Sequence, residues 1–86
     1  NRKNVLRPYI LVVHCQDDEI EKKASQFVKE QVDAFSLKSK SIKKQSIELN
    51  YEVRIKDQSA LFINELSNME GITYAVLVSY NGDYMG

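Results

Sequence analysis

Residues 47–56 alternate without a break. Ile47, Leu49, Tyr51, Val53 and Ile55 are apolar, and Glu48, Asn50, Glu52, Arg54 and Lys56 between them are polar. Side chains of a strand point to opposite faces in turn, so this pattern predicts a long strand with one buried and one wet face. Two other runs are apolar on both parities. Residues 8–15 carry Tyr9, Leu11 and Val13 on one parity and Ile10 and Val12 on the other, and residues 73–80 (Thr-Tyr-Ala-Val-Leu-Val-Ser-Tyr) behave alike. Such runs suit central strands buried on both sides. Pro8 fits the start of the first, where no ladder donor is needed.

Between them the period changes to that of a helix. Ile20, Ala24, Phe27, Val28, Gln31 and Phe35 share one arc, with Glu21, Lys22, Lys29, Glu30 and Asp33 outside it. Asp18 followed by Glu21 fits a capping box, and Asp17, Asp18 and Glu19 suit the positive end of the helix dipole. A second, shorter helix is predicted over about residues 60–69, with Phe62, Ile63, Leu66 and Met69 inward. Gly71 then fits a helix stop, with Ile72 packing back on the last turn. Residues 35–42 alternate Ser and Lys, which suits an edge strand, and residues 43–46 read as its turn into the alternating strand. Asn81-Gly82 is a tight-turn pair.

The element order is therefore β-α-β-β-α-β. Short, right-handed connections lead to an α+β, ferredoxin-like (ACT-like) two-layer sandwich with antiparallel sheet order 4-1-3-2 and both helices on one face. Residues 1–7 read as a tether to a missing upstream region, since the chain opens on Asn1 without an initiator Met, and residues 8–86 as the single domain. With 86 residues there is one core.

Charge and cysteine content narrow the functions. Twelve basic and twelve acidic side chains cancel, whereas nucleic-acid binders usually carry a basic excess; nucleic acid is not an expected partner. Cys15 is the single cysteine, so no internal disulfide forms and a reducing, cytosolic setting is expected. No apolar run approaches the ~20 residues that span a bilayer.

Candidate chemistry is sparse. His14 and Cys15 are adjacent in a strand, so they face opposite ways and do not share a metal; with no second histidine, no Cys–His catalytic pair arises. Asp17, Asp18 and Glu19 suit a cation or, more simply, a helix start. Lys38, Lys40, Lys43 and Lys44 suit phosphate or an anionic membrane, or a ribbon charge-paired with Glu48 and Glu52. The alternating strand's wet face lacks the aromatic residues of an RNA-recognition module, and a Cys-x-x-Cys or a glycine-rich phosphate cradle after the first strand is missing. Neither an enzyme nor a cofactor nor a metal is expected. The doubly apolar outer runs are the one positive feature. A two-layer sandwich covers one sheet face only, so either Ile10 and Val12 or Tyr9, Leu11 and Val13 lie uncovered. That points to an interface at Tyr9, Ile10, Leu11 and Val12, on the open face or a sheet edge, with another copy or another part of the parent. A tail after Gly82 lying over the face is the competing arrangement.

Residues 47–56 and 69–83 resemble the soluble C-terminal domain of an uncharacterised family of bacterial inner-membrane proteins, distantly like MgtC/SapB-type proteins, in which transmembrane helices precede a small ACT-like cytoplasmic domain. The resemblance covers roughly residues 8–84. It implies a non-catalytic regulatory or oligomerisation domain on the cytoplasmic side of the membrane. ACT domains proper often bind amino acids near a glycine after the first strand. Here Gln16, Asp17 and Asp18 stand at that loop, with no glycine, and are the candidate ligand positions of the alternative, a small-ligand sensor at a dimer interface.

Overall fold

The computed structural model describes residues 5–56 and 61–79. The chain forms β1 (Leu6–Cys15), α1 (Asp18–Gln31), β2 (Ala34–Lys43), β3 (Ser46–Lys56), α2 (Phe62–Ser67) and β4 (Ile72–Ser79). The strands make one antiparallel sheet in the order β2-β3-β1-β4, which is the expected 4-1-3-2 read from the other edge. The fold is the ferredoxin-like α+β sandwich.

The strict alternation of β3 sets the layers. Ile47, Leu49, Tyr51, Val53 and Ile55 are all buried, beside Leu11, Val13 and Cys15 of β1, Ala24 and Val28 of α1, Phe62 and Leu66 of α2, and Ile72. Tyr51 keeps its hydroxyl satisfied from within that core, 2.8 Å from Ser25 Oγ on α1, and its ring stacks on Phe35.

Several boundaries move. β1 begins at Leu6, so Leu6 and Arg7 belong to the sheet rather than to a tether: they pair with Lys56 and Ile55. The helix cap is Asp17, not Asp18. The Asp17 carboxylate accepts from the Ile20 N–H at 3.0 Å, the usual N-cap bond. α1 stops at Gln31 because Val32 turns extended and the Asp33 N–H donates to Arg54 O at 2.9 Å, drawing the chain onto β3. Phe35, which shares the helical arc on paper, thereby lies on β2. α2 is shorter than its apolar spacing implies. Gly71 has the expected positive φ, 88°, but it serves a separate four-residue turn closed by Ile72 N–H to Met69 O. The proposed tail after Gly82 lies outside the described residues.

Candidate functional site

Strand register decides which side chains share the open face. Leu11 is 0% exposed, and Tyr9 packs against the same core. Both therefore leave the expected interface, because their parity faces the helices. Ile10 and Val12 remain on the open face. Pairing sets Val12 beside Val76, and Ile10 beside Val78, on β4. Val76 and Val78 are 43% and 47% exposed. The β1–β4 half of the open face is thus apolar.

The other half is polar. Asn50 and Glu52 of β3 sit opposite Val12 and Ile10. The Asn50 amide donates to Ser39 Oγ at 3.0 Å. Glu52 lies 3.6 Å from Lys38 Nζ and 3.8 Å from Arg54. The expected charge pairing across the hairpin therefore holds for Lys38. Lys40 instead crosses to the helix layer and meets Glu21 at 2.8 Å, while Glu48 turns to His14.

His14 belongs to a row the sequence did not disclose. Its Nε2 lies 2.9 Å from Glu48 Oε2 and 2.8 Å from the Tyr74 hydroxyl, and its ring stacks on Tyr74 with centroids 4.2 Å apart. A carboxylate only accepts, so Nε2 carries the hydrogen and donates to Glu48, with the Tyr74 oxygen as a second acceptor. The row ties β4, β1 and β3 together at one end of the sheet. Cys15, next in the chain, points to the core, so the two side chains diverge as expected. Residue spacing could not reveal the row because Tyr74 and Glu48 reach His14 only through register, and a shift between His14 and Cys15 in the β1–β4 pairing alters that register.

The loop after β1 holds the candidate ligand positions. The Gln16 N–H donates to Gly71 O at 3.0 Å, Asp17 caps α1, and Asp18 is exposed in the helix's first turn. Gln16 and Gln45 border a shallow depression at this end of the sheet. The backbone of Gln16 and the carboxylate of Asp17 thus already have structural roles. No cluster of three His, Cys, Asp or Glu side chains that could hold a metal occurs among the described residues, and no helix among them is long and apolar enough to cross a membrane.

Three groups near Glu21 have raised pKa values. Burial lifts the Cys15 thiol, with Glu21 and Asp17 adding to it; burial lifts Tyr51 against the opposing hydrogen bond from Ser25; and the hydrogen bond to Glu21 lifts Lys40. In each case the folded chain holds its proton to higher pH than the unfolded chain. Their contribution to stability is therefore fully present below the unfolded values of 9.0, 10.0 and 10.5, and is lost as pH rises through the higher folded ones. Thermal midpoints are expected to fall progressively above pH 9.0. In Tyr51→Phe the part of that fall centred above pH 10.0 should shrink. An equal alkaline slope in the variant would remove Tyr51 from the account.

Comparison of the chain with models of protein families, with curated proteins and with solved structures finds no match.

Proposed function

We propose that this domain is a non-catalytic assembly module whose β4 edge pairs with the β4 edge of a second copy. The observation that carries this is the contrast between the two edges of the sheet. β2 bears Lys38, Lys40 and Lys43 and has a register irregularity between Leu37 and Ser39. Lysines and bulges are the usual means of keeping an edge from recruiting a strand. β4 runs Ile72-Thr-Tyr-Ala-Val-Leu-Val-Ser79 with no charge and no proline. Its backbone groups on the side away from β1 have no strand partner among the described residues. Antiparallel pairing about a two-fold axis would satisfy them and set the Val76 and Val78 side chains of both copies beside one another.

Placement of the module on the cytoplasmic side of a bacterial inner-membrane protein rests on the resemblance of residues 47–56 and 69–83 alone. The sensor alternative has no comparable support in the loop geometry, since Gln16 and Asp17 already serve the fold.

The test is sedimentation of the isolated chain at high micromolar concentration. The wild type is expected to be a dimer, and Val76→Lys a monomer with an unchanged far-ultraviolet spectrum. Val76 is exposed in the single chain, so its replacement should alter intrinsic stability by only about 0.5 kcal/mol. A wild-type chain that sediments as a clean monomer would overturn the assignment.

A further inference from the structure

The row of Tyr74, His14 and Glu48 gathers three electron-rich atoms at one place on the open face, each from a different strand. His14 Nε2 of β1 lies 2.9 Å from Glu48 Oε2 of β3 and 2.8 Å from the Tyr74 hydroxyl of β4. In the neutral ring one N–H hydrogen has to serve both oxygens. The Glu48 charge is then uncompensated: its ion-pair partner is His14, charged only when protonated, and no lysine or arginine among the described residues pairs with it. The register of β2 explains this. The irregularity between Leu37 and Ser39 sets Ser41 opposite Glu48 and Lys40 opposite Leu49, on the helix face, where Lys40 meets Glu21. Glu52, the other β3 acid of the open face, has both Lys38 and Arg54 beside it. The His14 tautomer is also free to change. Its Nδ1 has no hydrogen-bond partner among the described residues, and none of their side-chain nitrogens is buried without one, so Nδ1 reaches solvent and can carry the hydrogen instead.

We propose that this row is a site for a divalent transition-metal ion such as zinc, with His14 Nε2, Glu48 Oε2 and the Tyr74 phenolic oxygen as its protein ligands. The third donor is a phenol rather than another acid, histidine or cysteine. The spacing fits. Zinc bonds of about 2.1 Å to nitrogen and oxygen set ligands at right angles, as in a six-coordinate shell, about 3.0 Å apart; the two separations present are 2.9 and 2.8 Å. One imidazole nitrogen with two oxygens favours zinc, copper or nickel over magnesium and calcium, which bind through oxygen. The His14 and Glu48 side chains are 27% and 39% exposed, so the ion enters from solvent and water completes its shell. Once bound, it ties β3, β1 and β4 together at one end of the sheet. The site uses side chains of the open face, whereas pairing through β4 uses its backbone edge, so the two readings stand or fall separately.

Calorimetric titration of the chain with zinc chloride tests it. The wild type is expected to bind one ion per chain at micromolar concentration, and to bind magnesium far more weakly. His14→Ala should abolish the binding. Glu48→Gln keeps an acceptor for His14 but removes the charge, and should weaken zinc by about tenfold to a hundredfold. Tyr74→Phe keeps the stacked ring and should weaken it by about fivefold. Glu52→Gln, on the same face, should leave it unchanged. Unchanged circular-dichroism spectra would show that the variants fold, and in the wild type zinc should shift the ring resonances of His14 and Tyr74 together in nuclear magnetic resonance spectra. Absence of zinc binding by the wild type would overturn the proposal, as would magnesium bound as tightly as zinc. So would undiminished zinc binding by His14→Ala, Glu48→Gln or Tyr74→Phe, each of which would remove its residue from the ligand set.

Discussion

Leu11→Ala is expected to remove about 3–5 kcal/mol of stability, and Val12→Ala, one residue along the same strand, less than about 1 kcal/mol. Leu11 is fully buried at the centre of the sheet, between Tyr51 of β3 and Leu77 of β4. Its removal leaves a cavity lined by strands whose hydrogen-bonded ladders hold them apart, so collapse around the hole is limited. Val12 faces the open side, and shortening it opens no cavity. A domain of this size has a total stability of order 5–15 kcal/mol, so Leu11→Ala should bring it close to unfolding, with a thermal midpoint lower by on the order of 20 °C. Urea titration of both variants would measure the contrast. Equal losses at the two positions would mean that the helices do not cover the Leu11 face.

Gly71→Ala should cost about 2–4 kcal/mol, from two separable sources. The first is backbone conformation: at φ 88° a side chain meets its own carbonyl, a penalty of roughly 1–2 kcal/mol. The second is a collision. A β-carbon at Gly71 would lie 2.5 Å from Ile20 Cγ1, 2.6 Å from Cδ1 and 3.1 Å from Cγ2. Ile20 cannot easily rotate away, because a β-branched residue in a helix is largely confined to one χ1. Nor can it shift freely, because its own N–H is held by the Asp17 cap. Combining Gly71→Ala with Ile20→Ala should recover the steric part and leave the backbone part, giving a favourable coupling of about 1 kcal/mol in a double-mutant cycle. Strict additivity would show that backbone strain alone sets the cost. A change within about 0.5 kcal/mol for Gly71→Ala itself would contradict both contributions.

The layers of the fold were legible because single-residue periodicity reports burial directly. Ile47 through Ile55 alternate in sequence and all five apolar members are buried. The positive φ of Gly71 was legible for the same local reason. Phe35 shows where this reasoning ends: it continues the helical arc of α1, yet a tertiary bond from Asp33 to Arg54 O ends the helix first. The choice between the two faces of β1 was also out of reach. Both parities are apolar, so only the β3 register, which aligns Leu11 with Tyr51 and Val13 with Leu49, assigns Leu11 to the core and Val12 to the surface. The Tyr74–His14–Glu48 row is hidden more deeply, because it needs two registers at once. The lysine run is an intermediate case. Its composition was plain, but only the positions of Glu21 and Glu52 separate Lys40 and Lys38, which they pair, from Lys43 and Lys44, which have no ion-pair partner among the described residues.

The central position of β1 also bears on how the chain is made. β1 precedes every other element, yet Leu6 pairs with Lys56 and Tyr9 with Ser79. On the ribosome this strand emerges before the strands it pairs with, and it has no partner until β3 has left the exit tunnel, and none on its other side until β4 follows. Nearly the whole domain must be synthesised before its sheet can close. Most of the ordering cost then falls on long-range closure, which slows folding relative to local hairpin pairing. During that interval residues 9–13 stay exposed on both parities, so translation rate and chaperone supply should govern the yield of folded chain more strongly than equilibrium stability does.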